Sequence, residues 1–528
     1  MQKIFRLLFL PSLLIIMISA SQANYAACTI TTSEGKNAAN MADGINIILS
    51  SNDRCPNNVF EFREQIKAAG LKIETTMVAN RGFHNPTLGS FSFFEIVSGK
   101  IHSTIIQPGD FFFGHFTTVD QNDELTADQG PTTEPRLMIE AFAWDVEKEV
   151  FNFYELIGDG NDNHWFYRGD SADIYTDITL LHRQPDPTHP QFGNRLRCSG
   201  CHGAGGPIMK EIHAPHNDWW EPQRKLDFGG RKLNVSIREI VENLVPPDRL
   251  AQSVLLGIKR LENSKSTSGL NKRSLQEKLR PLFCPVEVNF MSDLNPNENA
   301  NNMIAIPNEF FINKKLLNNT DQTILITRKA YHQALSKAGS HFPETTLSDA
   351  DHAWLTPVKA SSDQSAINHL IHSGLIDEKF ANDVLSVDMT NPVFSSARCH
   401  LLTFVPNQWT DDWQHVFAQH LKSANNPRAN ELLQHLTNPA HTPAYHQQRA
   451  MALLMNCRDK LKNENNVDKL VTLLAQRRAE IKASEISKNR RGQILEPGFR
   501  VIFPETTLKP IPEKWMLTDT CEVESASP

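Results

Sequence analysis

Residues 136–156 read RLMIEAFAWDVEKEVFNFYEL, and this stretch decides the fold of the N-terminal part of the chain. Two runs of strand length, Arg136–Ala143 and Val150–Leu156, are rich in aromatic and aliphatic side chains and flank the charged segment Asp145–Lys148. That pattern predicts a β-hairpin. Further runs of the same character are Phe91–Val97, Phe111–Phe116 and Trp165–Tyr167. Several such strands at this spacing predict an antiparallel sheet or a small barrel.

Helical periodicity surrounds this β-rich region. Before it, Phe62, Ile66 and Ala69 lie at helical spacing and predict a helix over Val59–Ala69. After the proline-rich residues 185–190, Ser236 and Ser274 each precede a Glu by three positions, the spacing of a capping box. Further helices are predicted at 321–338, 363–386, 411–423, 443–462 and 466–484, a long loop or short strands at 285–320, and a late strand at Phe499–Pro504.

The predicted fold class is α+β multidomain, and four segments follow from these patterns. They are an N-terminal segment at 1–23, a β-rich antiparallel domain at 24–190, a region around Cys198 and Cys201 at 191–295 and a mainly helical region at 296–528. A chain of 528 residues exceeds one ordinary domain. With 40% hydrophobic and 21% charged residues and no long run of Lys or Arg, the composition predicts globular domains without a nucleic-acid-binding face.

The first residues have the order of a secretory signal peptide. Lys3 and Arg6 precede the apolar run Leu7–Ile18, and Ser21–Ala23 has the small-x-small form of a cleavage site. The run is shorter than the roughly 20 residues needed to span a bilayer, and no second run of spanning length follows. We therefore expect a periplasmic or secreted protein without a membrane span in the mature chain, whose net charge changes from −7 to −9 on cleavage.

Eight cysteines fit this oxidising destination. Cys198 and Cys201 form one close pair, and six remain: Cys28, Cys55, Cys284, Cys399, Cys457 and Cys521. An even number in an exported protein predicts disulfides. We expect Cys28 to pair with Cys55 and two bridges to form among the other four, with buried free thiols as the alternative.

The segment Cys198-Ser-Gly-Cys-His202 carries the clearest chemistry in the chain. C-x-x-C-H is the spacing of covalent haem attachment, because two thiols on a short turn each add to one haem vinyl group. The adjacent imidazole then reaches the iron as an axial ligand. A dithiol redox site leaves His202 and the Gly-rich residues 203–206 unexplained, and a zinc site would need a second ligand pair.

This segment resembles c-type cytochromes. The longer stretch from Leu196 through Lys210 to Trp220 is similar to a group of large exported bacterial proteins that contain a cytochrome c-like domain. We therefore expect the region at 191–295 to be haem-binding and cytochrome c-like. The resemblance covers only about 25–30 residues, so it carries no fold to the rest of the chain. It implies one covalent haem c, with Cys198 and Cys201 as attachment sites and His202 as an iron ligand.

The sixth iron position has several candidates. Many electron carriers use a distal Met, and bis-His ligation is the other common choice. The candidates, none of them decisive, are Met291, Met303, His216, His213 and Met209. Met209 lies only seven residues after His202, so the intervening chain would have to be almost fully extended.

Other site patterns are weaker. Asp159–Asn163 with Asp170 has some calcium-loop spacing, but His164 stands where the sharp-turn Gly belongs. A polar turn is therefore the better interpretation, and a calcium site is the less favoured alternative. The pairs His369/His372 and His415/His420 are interpreted as solvated side chains on helices. No catalytic triad, phosphate loop or dinucleotide fingerprint is found.

Three functions fit these observations. The leading one is single-electron transfer through one covalent haem, with a redox partner protein that the sequence does not identify. The second is a haem enzyme of peroxidase or oxygenase type, although a two-haem peroxidase would require a second C-x-x-C-H, which the sequence lacks. The third is a haem-based sensor with an open distal site. Whether the chain is an enzyme stays open, because no catalytic residue can be named.

Overall fold

The computed structural model describes the following parts of the chain. They are residues 28–77, 93–127, 136–176, 202, 205–207, 230–264, 274–284, 299–338, 358–473 and 515–525, with gaps at 33–34, 39–40, 116, 159–162, 300, 307, 309–310, 318–323 and 392–394.

The described residues include the following strands and α-helices. The strands are β1 (Ile30–Thr31), β2 (Lys72–Met77), β3 (Phe93–Ile101), β4 (Thr104–His115), β5 (Thr117–Val119), β6 (Glu124–Ala127), β7 (Arg136–Asp145), β8 (Val150–Gly158), β9 (Asn163–Asp170), β10 (Lys232–Leu233), β11 (Met303–Ile306), β12 (Ile324–Thr327), β13 (Trp515–Leu517) and β14 (Val523–Ser525). The helices are α1 (Gly44–Ser50), α2 (Val59–Ala68), α3 (Ser171–Thr176), α4 (Val235–Glu242), α5 (Pro247–Glu262), α6 (Leu275–Phe283), α7 (Arg328–Ala338), α8 (Val358–His372), α9 (Glu378–Leu385), α10 (Ser396–His400), α11 (Trp413–Ser423), α12 (Pro427–Thr437) and α13 (Pro443–Lys460).

One seven-stranded sheet organises the N-terminal region. Its order is β1-β9-β8-β7-β4-β3-β2, and every neighbouring pair is antiparallel except β1 with β9. The predicted hairpin is confirmed, because β7 and β8 pair from Asp145↔Val150 onward across the charged turn. The sheet is open, with β1 and β2 at its edges, so the antiparallel-sheet prediction is right and the small barrel is wrong.

Each face of this sheet buries apolar side chains. On the first face, Phe62 of α2 lies 5.1 Å from Phe113 and 4.9 Å from Trp165 between ring centroids, and α1 and α2 cover the same core. On the second face, Phe142 lies 5.2 Å from Phe112 and 5.5 Å from Phe153. Burial on two sides explains why these strands show nearly continuous apolar runs rather than alternation.

Helix α5 lies against the second face. A Cβ atom on its Gly257 would be 2.6 Å from the carbonyl oxygen of Gly109 in β4, so glycine permits this close approach of two backbones. Arg260 of α5 also forms an ion pair with Asp110 of the same strand. The helix is therefore held beside the strands that carry the aromatic side chains of the second face.

The C-terminal helices share a second buried core. Phe380 of α9 packs edge-on against Trp413 of α11, at 5.2 Å between ring centroids, and Phe283 of α6 meets Phe417 at 5.9 Å. This core includes α6, which lies before residue 296. Two small hairpins, β11–β12 and β13–β14, belong to the same region. The mixed architecture, β-rich first and largely helical afterwards, matches the coarse sequence prediction.

Three disulfides join the six cysteines outside the C-x-x-C-H motif. Cys28 bonds to Cys55 as expected, and the two further bridges are Cys284–Cys399 and Cys457–Cys521. Bridges of this kind persist in oxidising compartments. No helix within the described part of the chain is long and apolar enough to cross a membrane.

Most predicted helices form, with changed bounds. The prediction at 321–338 is wrong at its start, where β12 precedes α7, and that at 363–386 divides into α8 and α9 at Gly374, whose φ is +74°. The cap of α4 is Asn234 rather than Ser236, because the Asn side chain accepts the Ser236 N–H. Residues 464–473 are helical. The rest of 466–484 and the strand predicted at Phe499–Pro504 lie outside the described residues.

Candidate haem site

His202 lies buried against the second face of the sheet, and the residue is only 6% exposed. Its imidazole ring meets Phe142 of β7 edge-on at 4.9 Å and Phe153 of β8 at 5.5 Å, both between ring centroids. The residue that the motif assigns to the iron is therefore packed on an aromatic wall, formed by Phe142 and Phe153.

A backbone carbonyl sets the tautomer of His202. Nδ1 lies 2.8 Å from the carbonyl oxygen of Gly206. A carbonyl oxygen only accepts hydrogen bonds, so the proton of a neutral ring is on Nδ1 and the lone pair is on Nε2. Metal-bound histidines in proteins are held in this way, with the second ring nitrogen donating to a carbonyl or carboxylate.

Glycine makes this short loop fit. Gly205 has φ +72°, its N–H donates to the His202 carbonyl at 2.6 Å, and its own carbonyl accepts a 2.6 Å hydrogen bond from Ser171 Oγ. A Cβ atom at Gly205 would overlap the Ser171 carbonyl oxygen and would lie 2.8 Å from Ser171 Cα. The glycine-rich sequence after His202 is therefore required by both dihedral angle and space.

Helix α5 closes the other side of the loop. A Cβ atom at Gly206 would lie 3.0 Å from Leu261 Cδ2, and one at Gly257 would lie 2.7 Å from Pro207 Cγ. The residues after His202 are thus in close contact with α5 on one side and with Ser171, which follows β9, on the other. This packing fixes the position of the Gly206 carbonyl that orients the imidazole.

A buried ion pair lies next to the aromatic wall. Arg168 Nε lies 2.5 Å from Glu155 Oε2, and both side chains are fully buried. Glu155 follows Phe153 by two positions on β8 and therefore lies on the same face. Glu140 of β7 is directly opposite Glu155 in the register. Two carboxyl side chains and one guanidinium thus stand next to the wall that contacts His202.

Arg168 lies at a β-bulge on this face. Phe153 pairs with Gly169 but Tyr154 pairs with Tyr167, so Arg168 is the extra residue on β9. Bulges of this kind redirect one side chain and are frequent beside functional sites. The guanidinium also lies over the Phe166 ring, 5.2 Å from its centroid.

The remaining site candidates fall in two groups. Those outside the described residues are Cys198, Cys201, Met209, His213, His216 and Met291, together with the calcium-loop residues Asp159–Asp162. Met303 is described: it lies on β11, paired with Thr327, and is 53% exposed. Asp170 uses Oδ1 to accept the N–H groups of Ala172 and Asp173, which is a turn role.

The described residues offer one imidazole, that of His202, which could hold haem iron. No group of three His, Cys, Asp or Glu side chains able to hold a metal occurs in the described parts of the chain. A single imidazole with its lone pair on Nε2, oriented by a carbonyl and surrounded by aromatic rings, is what haem iron requires of the protein on one side. The sequence did not indicate Phe142, Phe153, Ser171 or Arg168 as site residues, since each reads as an ordinary strand or turn residue.

Comparison with known proteins adds no relative. No protein-family model, no curated protein and no solved structure matches this chain.

Proposed function

We propose that this chain is an exported c-type haem protein that transfers single electrons through one haem held by Cys198 and Cys201. The observation that supports the proposal is the position of His202 directly after the two thiols, with Nδ1 bonded to the Gly206 carbonyl. Bound haem would supply one ferric–ferrous couple. Formation of each thioether adds a thiol S–H across a vinyl group, so it needs no external oxidant.

The protein's own residues would do three things. Gly206 orients His202 and increases its basicity, because the carbonyl accepts the Nδ1 proton. Phe142 and Phe153 exclude water from one side of the imidazole. The three disulfides and the signal-peptide pattern support export to an oxidising compartment, where c-type haem proteins are matured in bacteria.

Covalent attachment is tested by removing the two thiols. The full chain is expressed with a c-type haem maturation system, and haem is stained after denaturing electrophoresis. Wild type should retain the stain, and the double variant Cys198→Ser/Cys201→Ser should lose it. The matched control, Cys284→Ser/Cys399→Ser, removes a disulfide and should keep the stain. Equal staining of wild type and the Cys198/Cys201 variant would refute the proposal.

Ligand binding separates electron transfer from the haem-enzyme and sensor alternatives. A carrier with both axial positions filled should show a low-spin spectrum that carbon monoxide leaves unchanged in the reduced protein. A high-spin spectrum that shifts on addition of carbon monoxide would instead favour a peroxidase, an oxygenase or a sensor.

A further inference from the structure

We propose that the buried Glu155–Arg168 pair sets the reduction potential of the haem bound at His202. This inference rests on the proposed function and adds to it a regulation of the same site. The pair lies on the second face of the sheet, and Glu155 is two residues after Phe153, whose ring contacts His202.

The distance is short on the scale of electrostatics in a protein interior. The imidazole and the Phe153 ring are 5.5 Å apart between centroids, and residues two apart on a strand are separated by about 6.8 Å. The charges of Glu155 and Arg168 are therefore about 10 Å from the His202 imidazole, which would coordinate the iron. Both side chains are fully buried, so ions in the solvent screen them little.

The cost of burying this pair suggests a role beyond stability. A buried ion pair contributes little net stability compared with apolar side chains of the same size, because both charges lose their hydration. Arg168 is also the extra residue of a β-bulge in β9, on the face that holds His202. The sheet therefore departs from regular pairing at the residue that brings a positive charge to the haem side.

The sign of each charge fixes the direction of its effect. A positive charge near the iron favours the ferrous form, which has one positive charge fewer, and a negative charge favours the ferric form. Glu155→Gln leaves the Arg168 charge uncompensated and should raise the potential. Arg168→Gln leaves the Glu155 charge and should lower it. Glu140→Gln should raise it by less, since Glu140 is partly exposed.

The experiment measures the potential by spectroelectrochemistry on the full chain carrying haem. Each charge removal should change the ferric-to-ferrous ratio at fixed applied potential about tenfold, which is about 59 mV for one electron, in the two opposite directions. Glu155→Gln is the primary variant, because the amide is isosteric and its oxygen still accepts the Arg168 hydrogen bond. If Arg168→Gln fails to fold, the reduction potential of Glu155→Gln alone tests the proposal.

A matched control comes from the other face of the same sheet. Glu95 of β3 is also fully buried and also paired with an arginine, Arg63. It lies on the first face and three strands away from β8, which is about 14 Å. Glu95→Gln should therefore leave the potential within about twofold of the wild-type ratio.

Haem staining distinguishes the two ways in which the experiment can fail. If wild type retains no haem, the proposed function is wrong and the potential cannot be measured. If wild type and Glu155→Gln both retain haem but have the same potential, the function stands and this inference is overturned. A shift of the same sign and size for Glu95→Gln would also overturn it, because the effect would then not depend on the haem-facing wall.

Discussion

The two faces of the central sheet each bury a histidine, aromatic rings and an arginine–glutamate pair, but they hold the histidine differently. On the first face, His115 Nε2 lies 3.0 Å from Glu95 Oε1 and the ring stacks on Phe93. On the second face, Nδ1 of His202 is bonded to a backbone carbonyl. In each ring one nitrogen donates a hydrogen bond, Nε2 of His115 to a carboxylate and Nδ1 of His202 to a backbone carbonyl.

The two histidines also differ in the charged groups around them. His115 belongs to a closed group in which Glu95 also accepts hydrogen bonds from Arg63 and Thr75. Burial lowers the pKa of His115, and the hydrogen bond with Glu95 only partly opposes that effect. Burial of an imidazole is thus a poor indicator of function by itself, and the feature that separates His202 from His115 is its position directly after Cys201.

The largest effect on stability should come from breaking either buried ion pair. Arg63→Met and Arg168→Met each leave a buried carboxylate without its cation, and each should lower the free energy of unfolding by about 3–5 kcal/mol. Urea unfolding measures this. Arg54→Met, which removes the exposed pair Arg54–Glu61, should cost less than about 1 kcal/mol. Equal losses for exposed and buried pairs would contradict the comparison.

Only one of these variants should affect the haem. Arg168→Met should change the reduction potential, whereas Arg63→Met should lower stability alone. A change in potential with Arg63→Met, at unchanged haem content, would show that the two faces are not electrostatically independent.

A smaller effect should follow from adding one methyl group beside His202. Gly205→Ala requires a side chain at φ +72° and a Cβ atom that overlaps the Ser171 carbonyl oxygen. We expect a loss of about 3 kcal/mol in the free energy of unfolding and a disturbed haem spectrum.

Gly374→Ala is the control for Gly205→Ala. Gly374 has φ +74°, but a Cβ atom there would have nothing within 4 Å, so only the dihedral cost of about 1 kcal/mol remains. Equal losses at the two glycines would show that the contact with Ser171 is unimportant.

The smallest expected effect is a pH dependence of stability that comes from His115 on the first face. The pKa of folded His115 lies below 6.5, so the unfolded chain takes up a proton that the folded chain does not as the pH falls through 6.5. Stability from this group is therefore present above pH 6.5 and lost below it. His115→Gln removes this dependence.

The measurement is the difference in unfolding free energy between wild type and His115→Gln at about pH 7.5 and about pH 5.5. The difference should shrink by up to about 1.4 kcal/mol per pH unit below about 6.5. Glu95 stays ionised in this window: burial raises the pKa of its carboxyl, but Arg63, His115 and Thr75 outweigh burial and hold that pKa below the usual value. A constant difference would mean that folded His115 titrates normally.

The sequence could predict what depends on local pattern. The β7–β8 hairpin follows from two apolar runs and a charged turn, and the Cys28–Cys55 bridge follows from cysteine count and proximity. Helix ends were less accurate, because Asn234 and Ser236 are both good caps and only the three-dimensional structure selects one. The helix predicted at 363–386 is likewise divided at Gly374, and only the three-dimensional structure shows that the helix ends there.

Long-range register could not be predicted. Arg168 lies on the face of Glu155 because Phe166 is opposite Glu155 in the register, and nothing in the local sequence around residue 168 indicates that pairing or the bulge beside it. Phe142 and Phe153 read as core residues of a hairpin, and the second apolar layer that makes them a wall for His202 is supplied by residues far along the chain. Met303 is one of the sequence candidates for the distal ligand, but it lies exposed on β11.

The most direct test of the haem assignment is the intact mass of the mature protein after expression with haem maturation, under conditions that remove non-covalent ligands. We predict the mass of the processed polypeptide plus one haem, reduced to the polypeptide alone in the Cys198→Ser/Cys201→Ser variant. A wild-type mass equal to the bare polypeptide, or one lower by two hydrogens because Cys198 and Cys201 form a disulfide with each other, would contradict it.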